Sequence, residues 1–142
     1  MKSFLSITLL AFSLNVFADG FKTSEDTKEF SDTLMTKIKS EKFTEGFDSV
    51  KPYWPIPEVE VDSLVNEINK QWPLVSQRFG NSIGTEFVRK EKIGNSFIKY
   101  YYLHKFDKHA IYWAISYYKP HNEWVVNTIT FKDNLDLLYE YE

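Results

Sequence analysis

From Gly84 to Lys132 apolar and polar side chains alternate with a period of two, and this run constrains the fold more than any other feature. Strands are legible at about 84–93, 96–106, 109–119 and 123–132. The connections are short. Gly94-Asn95 suits a two-residue hairpin turn, Asp107-Lys108 can make another, and Pro120-His121-Asn122 makes the third. Strands joined in order by hairpins form an antiparallel meander.

Register turns strands into surfaces. With Asp107-Lys108 as a two-residue turn, Phe106 lies opposite His109. Tyr102 then faces Trp113, Tyr100 faces Ile115 and His104 faces Ile111. Cross-strand partners share a face. One face carries these residues with Ile98, Phe106 and Tyr117, has no lysine in its middle, and is expected to meet the helices. The other carries Lys99, Lys105 and Ser116 among Phe97, Tyr101, Leu103, Tyr112 and Tyr118, and is expected to be partly wet. A Gly94-Asn95 turn pairs Ile93 with Ser96. Arg89 then faces Tyr100, and Phe87 faces Tyr102, on the covered face. A buried lone charge is costly, so Arg89 there needs Glu91, a tyrosine hydroxyl or a ligand as partner.

Ahead of the strands the period becomes helical. Thr23 and Ser24 open a helix with Glu25, Asp26 and Glu29 near its start, and Phe30, Leu34 and Ile38 make its apolar face. Gly46 reads as a stop or turn, and Phe47 to Lys51 as one short helical turn. Pro52, Pro55 and Pro57 force an extended loop. A long helix follows from about Glu60 to Phe79, its stripe kept in phase from Val61 to Phe79 across Pro73, which predicts a kinked helix or two abutting ones. Gly80 is its C-terminal glycine. The tail from Asp133 reads as a last helical turn. The fold class is therefore α+β, with N-terminal helices packed on a four-stranded antiparallel meander.

Residues 1–18 read as an export signal. Lys2 is followed by a mostly apolar run from Phe4 to Leu14, then by Val16 and Ala18 at the positions of a small-residue cleavage site. The run is too short for a transmembrane helix, which needs roughly 20 apolar residues. The expected mature chain is residues 19–142, one domain, with no later span. It has no cysteine and no Asn-x-Ser/Thr acceptor, which suits a bacterial periplasm or secretion beyond it. The full-chain charge is −3 with acids and bases interspersed, so no basic run favours nucleic acid.

Arg78-Phe79-Gly80 precedes the sheet, Ile93-Gly94-Asn95-Ser96 marks the first hairpin, and Tyr117-Tyr118-Lys119-Pro120 leads to Glu123-Trp124-Val125-Val126-Asn127. With the order of elements, these strings make the chain resemble the nuclear-transport-factor-2-like superfamily over most of Ser24 to Lys132. The resemblance implies a cone-like α+β fold in which helices cover a bent sheet. That superfamily includes isomerases, dehydratases, cyclases and domains that only bind. Its enzymes typically place an acid or a His–Asp pair in the pocket, and no such pair is matched here.

Chemistry-bearing motifs are sparse. His104, His109 and His121 lack metal-ligand spacing, and there is no G-x-S-x-G elbow. Gly80-Asn81-Ser82-Ile83-Gly84 opens a strand and reads as a plain turn, and Glu25, Asp26 and Glu29 as ordinary helix-start acids. No catalytic residue, metal or cofactor is expected. The unusual feature is the aromatic band, nine of the twenty-four residues from Ser96 to Lys119. It fills a core, borders a pocket between sheet and helices, or forms an exposed patch on the wet face that docks another protein. For the pocket, Arg89, Tyr100, Tyr102, His104 and Trp113 are the ligand-binding candidates. The first expectation for function is a non-catalytic domain binding a small molecule or protein. The alternative is an isomerase- or hydrolase-like enzyme with His104 or Glu91 as acid–base group. Self-association through Phe97, Tyr101, Tyr112 and Tyr118 would make a homodimer through the sheet.

Overall fold

The computed structural model describes residues 19–140. The segment read as an export signal lies outside the described residues. Helices α1 (Ser24–Lys39), α2 (Phe43–Val50) and α3 (Glu58–Phe79) precede strands β1 (Ser82–Ile93), β2 (Phe97–Phe106), β3 (Ala110–Tyr118) and β4 (Val125–Lys132). Short 3-10 turns lie at Lys51–Tyr53 and Asp136–Leu138. The strands form one antiparallel sheet in the order β1-β2-β3-β4, so the architecture is the α+β meander expected.

α1 starts where Thr23 Oγ1 accepts the Asp26 N–H at 3.1 Å. It ends at residues that carry no stop signal. Glu41 takes a φ of +60°, and the N–H groups of Glu41 and Lys42 bond the carbonyls of Ile38 and Lys37, each at 2.9 Å. This is the C-terminal motif usually closed by glycine. The expected stop at Gly46 is thus corrected, since Gly46 lies inside α2. A Cβ at Gly46 would come 3.2 Å from Leu34 Cδ1, so the glycine sets how closely α2 approaches α1.

α3 runs unbroken through Pro73 and begins at Glu58, ahead of the expected Glu60. Val61, Val65, Ile68, Trp72 and Phe79 are buried along it, as the stripe predicts. Gly80 follows at φ +89°, and its missing Cβ makes room for Asp107, whose Cβ would otherwise lie 2.8 Å away. The Asp107 carboxylate accepts the Asn81 N–H at 2.9 Å, and the Lys108 N–H bonds the Phe79 carbonyl at 2.9 Å. The β2–β3 turn is thereby docked under the α3–β1 loop.

The β2–β3 register is the one read from the sequence, with Tyr100 opposite Ile115, Tyr102 opposite Trp113 and His104 opposite Ile111. The β1–β2 register differs. Ile93 pairs with Phe97 across Gly94-Asn95-Ser96, and Val88 is an extra residue between the Phe87–Tyr102 and Arg89–Tyr101 pairs. A one-residue shift exchanges faces. Phe87 keeps its predicted partner, but Arg89 stands on the face away from the helices, which corrects its expected position.

The main core lies between the helices and the inner face of the sheet. The outer face is drier than expected at its centre. Tyr101, Tyr112 and Ala114 are buried beneath Val88, Leu135 and Leu138, so the segment after β4 folds back as a partial third layer. At the other end Phe21 bridges Trp124 through paired 2.8 Å backbone bonds and stacks on Tyr53 at 4.2 Å.

Candidate functional site

Of the five residues expected to bind a ligand, Tyr100, Tyr102, His104 and Trp113 come together between helices and sheet. The space there is filled. His104 and Trp113 have no exposed surface, and Tyr100 and Tyr102 retain 2% and 3%.

The three inner tyrosines are tied to α1. The Tyr100 hydroxyl lies 2.8 Å from Thr27 Oγ1 and 3.1 Å from the Ser24 carbonyl oxygen. Ser31 donates to the Thr27 carbonyl at 2.8 Å, which leaves Tyr117 to donate to Ser31 Oγ at 2.6 Å. Tyr102 donates to Asp32 Oδ1 at 2.6 Å, and the same oxygen receives Lys28 Nζ at 2.6 Å. Burial raises the pKa of all three phenols, and the Asp32 carboxylate raises that of Tyr102 further. They are fixed donors, not bases. The sequence reading missed Thr27 and Ser31. Their signal is small hydroxyls at i, i+4 spacing on the helix face that meets a tyrosine-rich sheet.

His104 is saturated. Trp113 Nε1–H donates to His104 Nδ1 at 3.3 Å, so the remaining ring proton sits on Nε2 and points to Ser82 Oγ at 2.7 Å. Ser82 in turn donates to the Lys39 carbonyl at 2.9 Å. This chain links β3, β2, β1 and the end of α1. Burial lowers the imidazole pKa to about 4, so the ring is neutral and both nitrogens are engaged.

Arg89 is spent on the other face. Its Nε bonds Glu91 Oε1 at 2.9 Å, and Nη1 and Nη2 donate to the carbonyls of Leu138 at 3.2 Å and Leu137 at 2.7 Å. Glu91 also accepts the Tyr101 hydroxyl at 3.2 Å. Lys51 plays a similar structural part, bridging Asp48 at 2.9 Å and Asp62 at 2.7 Å, bonds to which raise its pKa.

Among the described residues no group of three or more His, Asp or Glu could hold a metal, and no helix is long and apolar enough to cross a membrane. A surface recess of about 290 Å³ is lined by Tyr100 with Ser24, Glu25, Lys28, Phe87 and Lys90, but larger open concavity lies elsewhere. A groove of about 420 Å³ runs between the C-terminal half of α3 and the end of β4, with Leu74, Val75, Phe79, Ile111 and Phe131 as its apolar walls. Leu74 is 56% exposed there. Phe131 touches Trp72 at 6.5 Å between centroids, and the Trp72 indole N–H is a buried donor without a partner. Comparison with family models, with curated proteins and with solved structures returned no match.

Proposed function

We propose that the chain is an exported, non-catalytic binding domain that works through the groove between α3 and β4. The observation that carries this reading is the saturation of His104. A buried, neutral imidazole with both nitrogens bonded has no lone pair or proton to lend to a substrate. The tyrosines around it are likewise consumed in holding α1 to the sheet. The groove supports the binding half of the reading. Its volume lies in the range of sites that hold small molecules or side chains.

Export rests on the pattern of residues 1–18, with the periplasm or the medium as destination. Membership of the nuclear-transport-factor-2-like superfamily is likewise proposed, on helices that precede a four-stranded meander.

Amide chemical-shift mapping against small molecules and peptides tests the function. Shifts are expected around Leu74, Val75 and Phe131. Shifts centred on Tyr100 and Trp113, or a turnover abolished by His104→Gln in a folded protein, would overturn it. N-terminal sequencing of exported protein should begin at Asp19; Met1 would reject export by cleavage.

A further inference from the structure

The two edges of the sheet differ in how they are guarded. β1 carries Glu86, Arg89, Lys90, Glu91 and Lys92 and is bent by the extra residue at Val88. Charged side chains and bulges keep an edge from pairing with another chain. β4 carries no acid, and Lys132 is its one basic residue. Its extra residue, Asn127, lies ahead of the regular stretch from Thr128 to Lys132.

Which backbone groups of that stretch face outward follows from the ladder. In antiparallel pairs, bonded and non-bonded partners alternate, so successive residues bond to opposite neighbours. Phe106 N–H bonds the His109 carbonyl and Lys119 N–H bonds the Ser96 carbonyl, both at 2.9 Å. Odd-numbered residues of β3 therefore bond to β2, and Ala114 and Ser116 turn to β4, where they meet Thr130 and Thr128. Ile129 and Phe131 then point their N–H and C=O groups away from the sheet. Trp124 does the same, and its groups are already taken by Phe21. Among the described residues no backbone bond outside the sheet ladder reaches Val125–Lys132.

We infer that β4 pairs antiparallel with β4 of a second copy of this chain, about a two-fold axis at Thr130. In this register Ile129 of one copy faces Phe131 of the other. Both are residues with free backbone groups, and each such pair exchanges two N–H···O bonds. Thr130 faces Thr130 and Thr128 faces Lys132, so no like charges oppose each other. Ile129 and Phe131 share the helix-covered face, and pairing carries that apolar layer across the edge. The groove beside Phe131, with Leu74 exposed in it, gives the second copy's side chains a place to lie. The inference rests on the proposed binding at α3 and β4 and names the partner. A second copy is favoured over a foreign peptide because the free stretch is complementary to itself in this register.

Sedimentation velocity of the exported protein should show a concentration-dependent dimer. Thr130 is exposed, so charge there perturbs the monomer little. Thr130→Lys and Thr130→Glu should each weaken the dimer roughly tenfold or more by opposing like charges across the axis, and mixing the two should restore it. Unfolding midpoints close to wild type establish that both variants fold. Independently, the amides of Ile129 and Phe131 should become protected from exchange as wild-type concentration rises. A wild type that stays monomeric, variants that dimerise as tightly as wild type, or unprotected Ile129 and Phe131 amides in the dimer would each overturn the inference. A monomer whose groove still shifts with added peptides would leave the proposed function standing and remove self-pairing alone. A monomer with no groove shifts would remove both.

Discussion

The indole N–H of Trp113 donates to Nδ1 of His104, 3.3 Å away, and so fixes a neutral histidine inside the core. Protonating that nitrogen would set two donors against each other in a site with no exposed surface. The folded-state pKa is held near 4, whereas an unfolded histidine titrates near 6.5. Between these values the unfolded chain binds more protons, so stability is full above about pH 6.5 and falls as the pH drops toward 4. About 2 kcal/mol should be lost between pH 7 and pH 5. Urea midpoints at the two pH values measure it, with His104→Gln as the variant that lacks this component. A His104 ring titrating near 6.5 by NMR would refute the assignment.

The Ser31–Tyr117 pair, at 2.6 Å, joins α1 to β3 in the core. Ser31→Ala leaves the buried Tyr117 hydroxyl without a partner, at a cost of about 2 kcal/mol. Tyr117→Phe costs less, about 1 kcal/mol, because Ser31 keeps its bond to the Thr27 carbonyl. The double variant should be no worse than Ser31→Ala alone, since removing both partners leaves nothing unsatisfied. Strict additivity of the two losses in a denaturant cycle would show that the hydroxyls do not interact.

The legible parts of this fold are those set by local chemistry. The Asp107-Lys108 turn and the alternation beside it were enough to place Tyr100, Tyr102, His104 and Trp113 on one face with the correct partners. Arg89 was misplaced because neither the three-residue turn at Gly94-Asn95-Ser96 nor the extra residue at Val88 has a distinctive side-chain signal. The end of α1 was missed because Glu41 occupies a left-handed position where glycine is the usual mark. The candidate site depended on more than register. Whether the space beside His104 is hollow depends on Phe43 and Phe47 of α2, which reach Trp113, and on Trp72 of α3, which reaches His104. No periodicity carries that information. The cover over Tyr101 and Tyr112 is similarly tertiary, because Leu135 and Leu138 lie in a tail whose own pattern shows only a short turn.

Two glycines with positive φ separate backbone strain from steric conflict. Gly94 has a φ of +51° and open space where a Cβ would be. Gly94→Ala should cost about 1 kcal/mol, the penalty of a left-handed alanine. Gly80 has a φ of +89°, a ψ of −155° and the Asp107 side chain against it. Gly80→Ala should cost about 3 kcal/mol, combining a region open essentially to glycine alone with displacement of the docked turn. Asp107→Ala removes the obstructing carboxylate but also the bond to Asn81, so it should not rescue Gly80→Ala. Equal losses for the two glycine variants in urea would mean that Asp107 exerts no steric effect.

Arg89 controls the tail that covers the outer face. Its guanidinium holds the carbonyls of Leu137 and Leu138, while His109 Nε2 lies 3.1 Å from the Asp133 carbonyl at the start of the same segment. Between these ties Leu135 and Leu138 rest on Tyr101 and Tyr112. Arg89→Ala removes the distal tie and leaves the main core on the opposite face intact. The tail should open locally, with amide exchange at Leu138, whose N–H bonds the Leu135 carbonyl, faster by roughly tenfold, the equivalent of about 1.4 kcal/mol. Arg89→Lys should recover only part of the protection, because one ammonium cannot reproduce a planar fork across two carbonyls. The global unfolding midpoint should move little. Fully retained protection in Arg89→Ala would mean that Leu135 and Leu138 hold the tail by apolar contact alone, whereas a cooperative loss of the whole fold would mean that this third layer is part of the core.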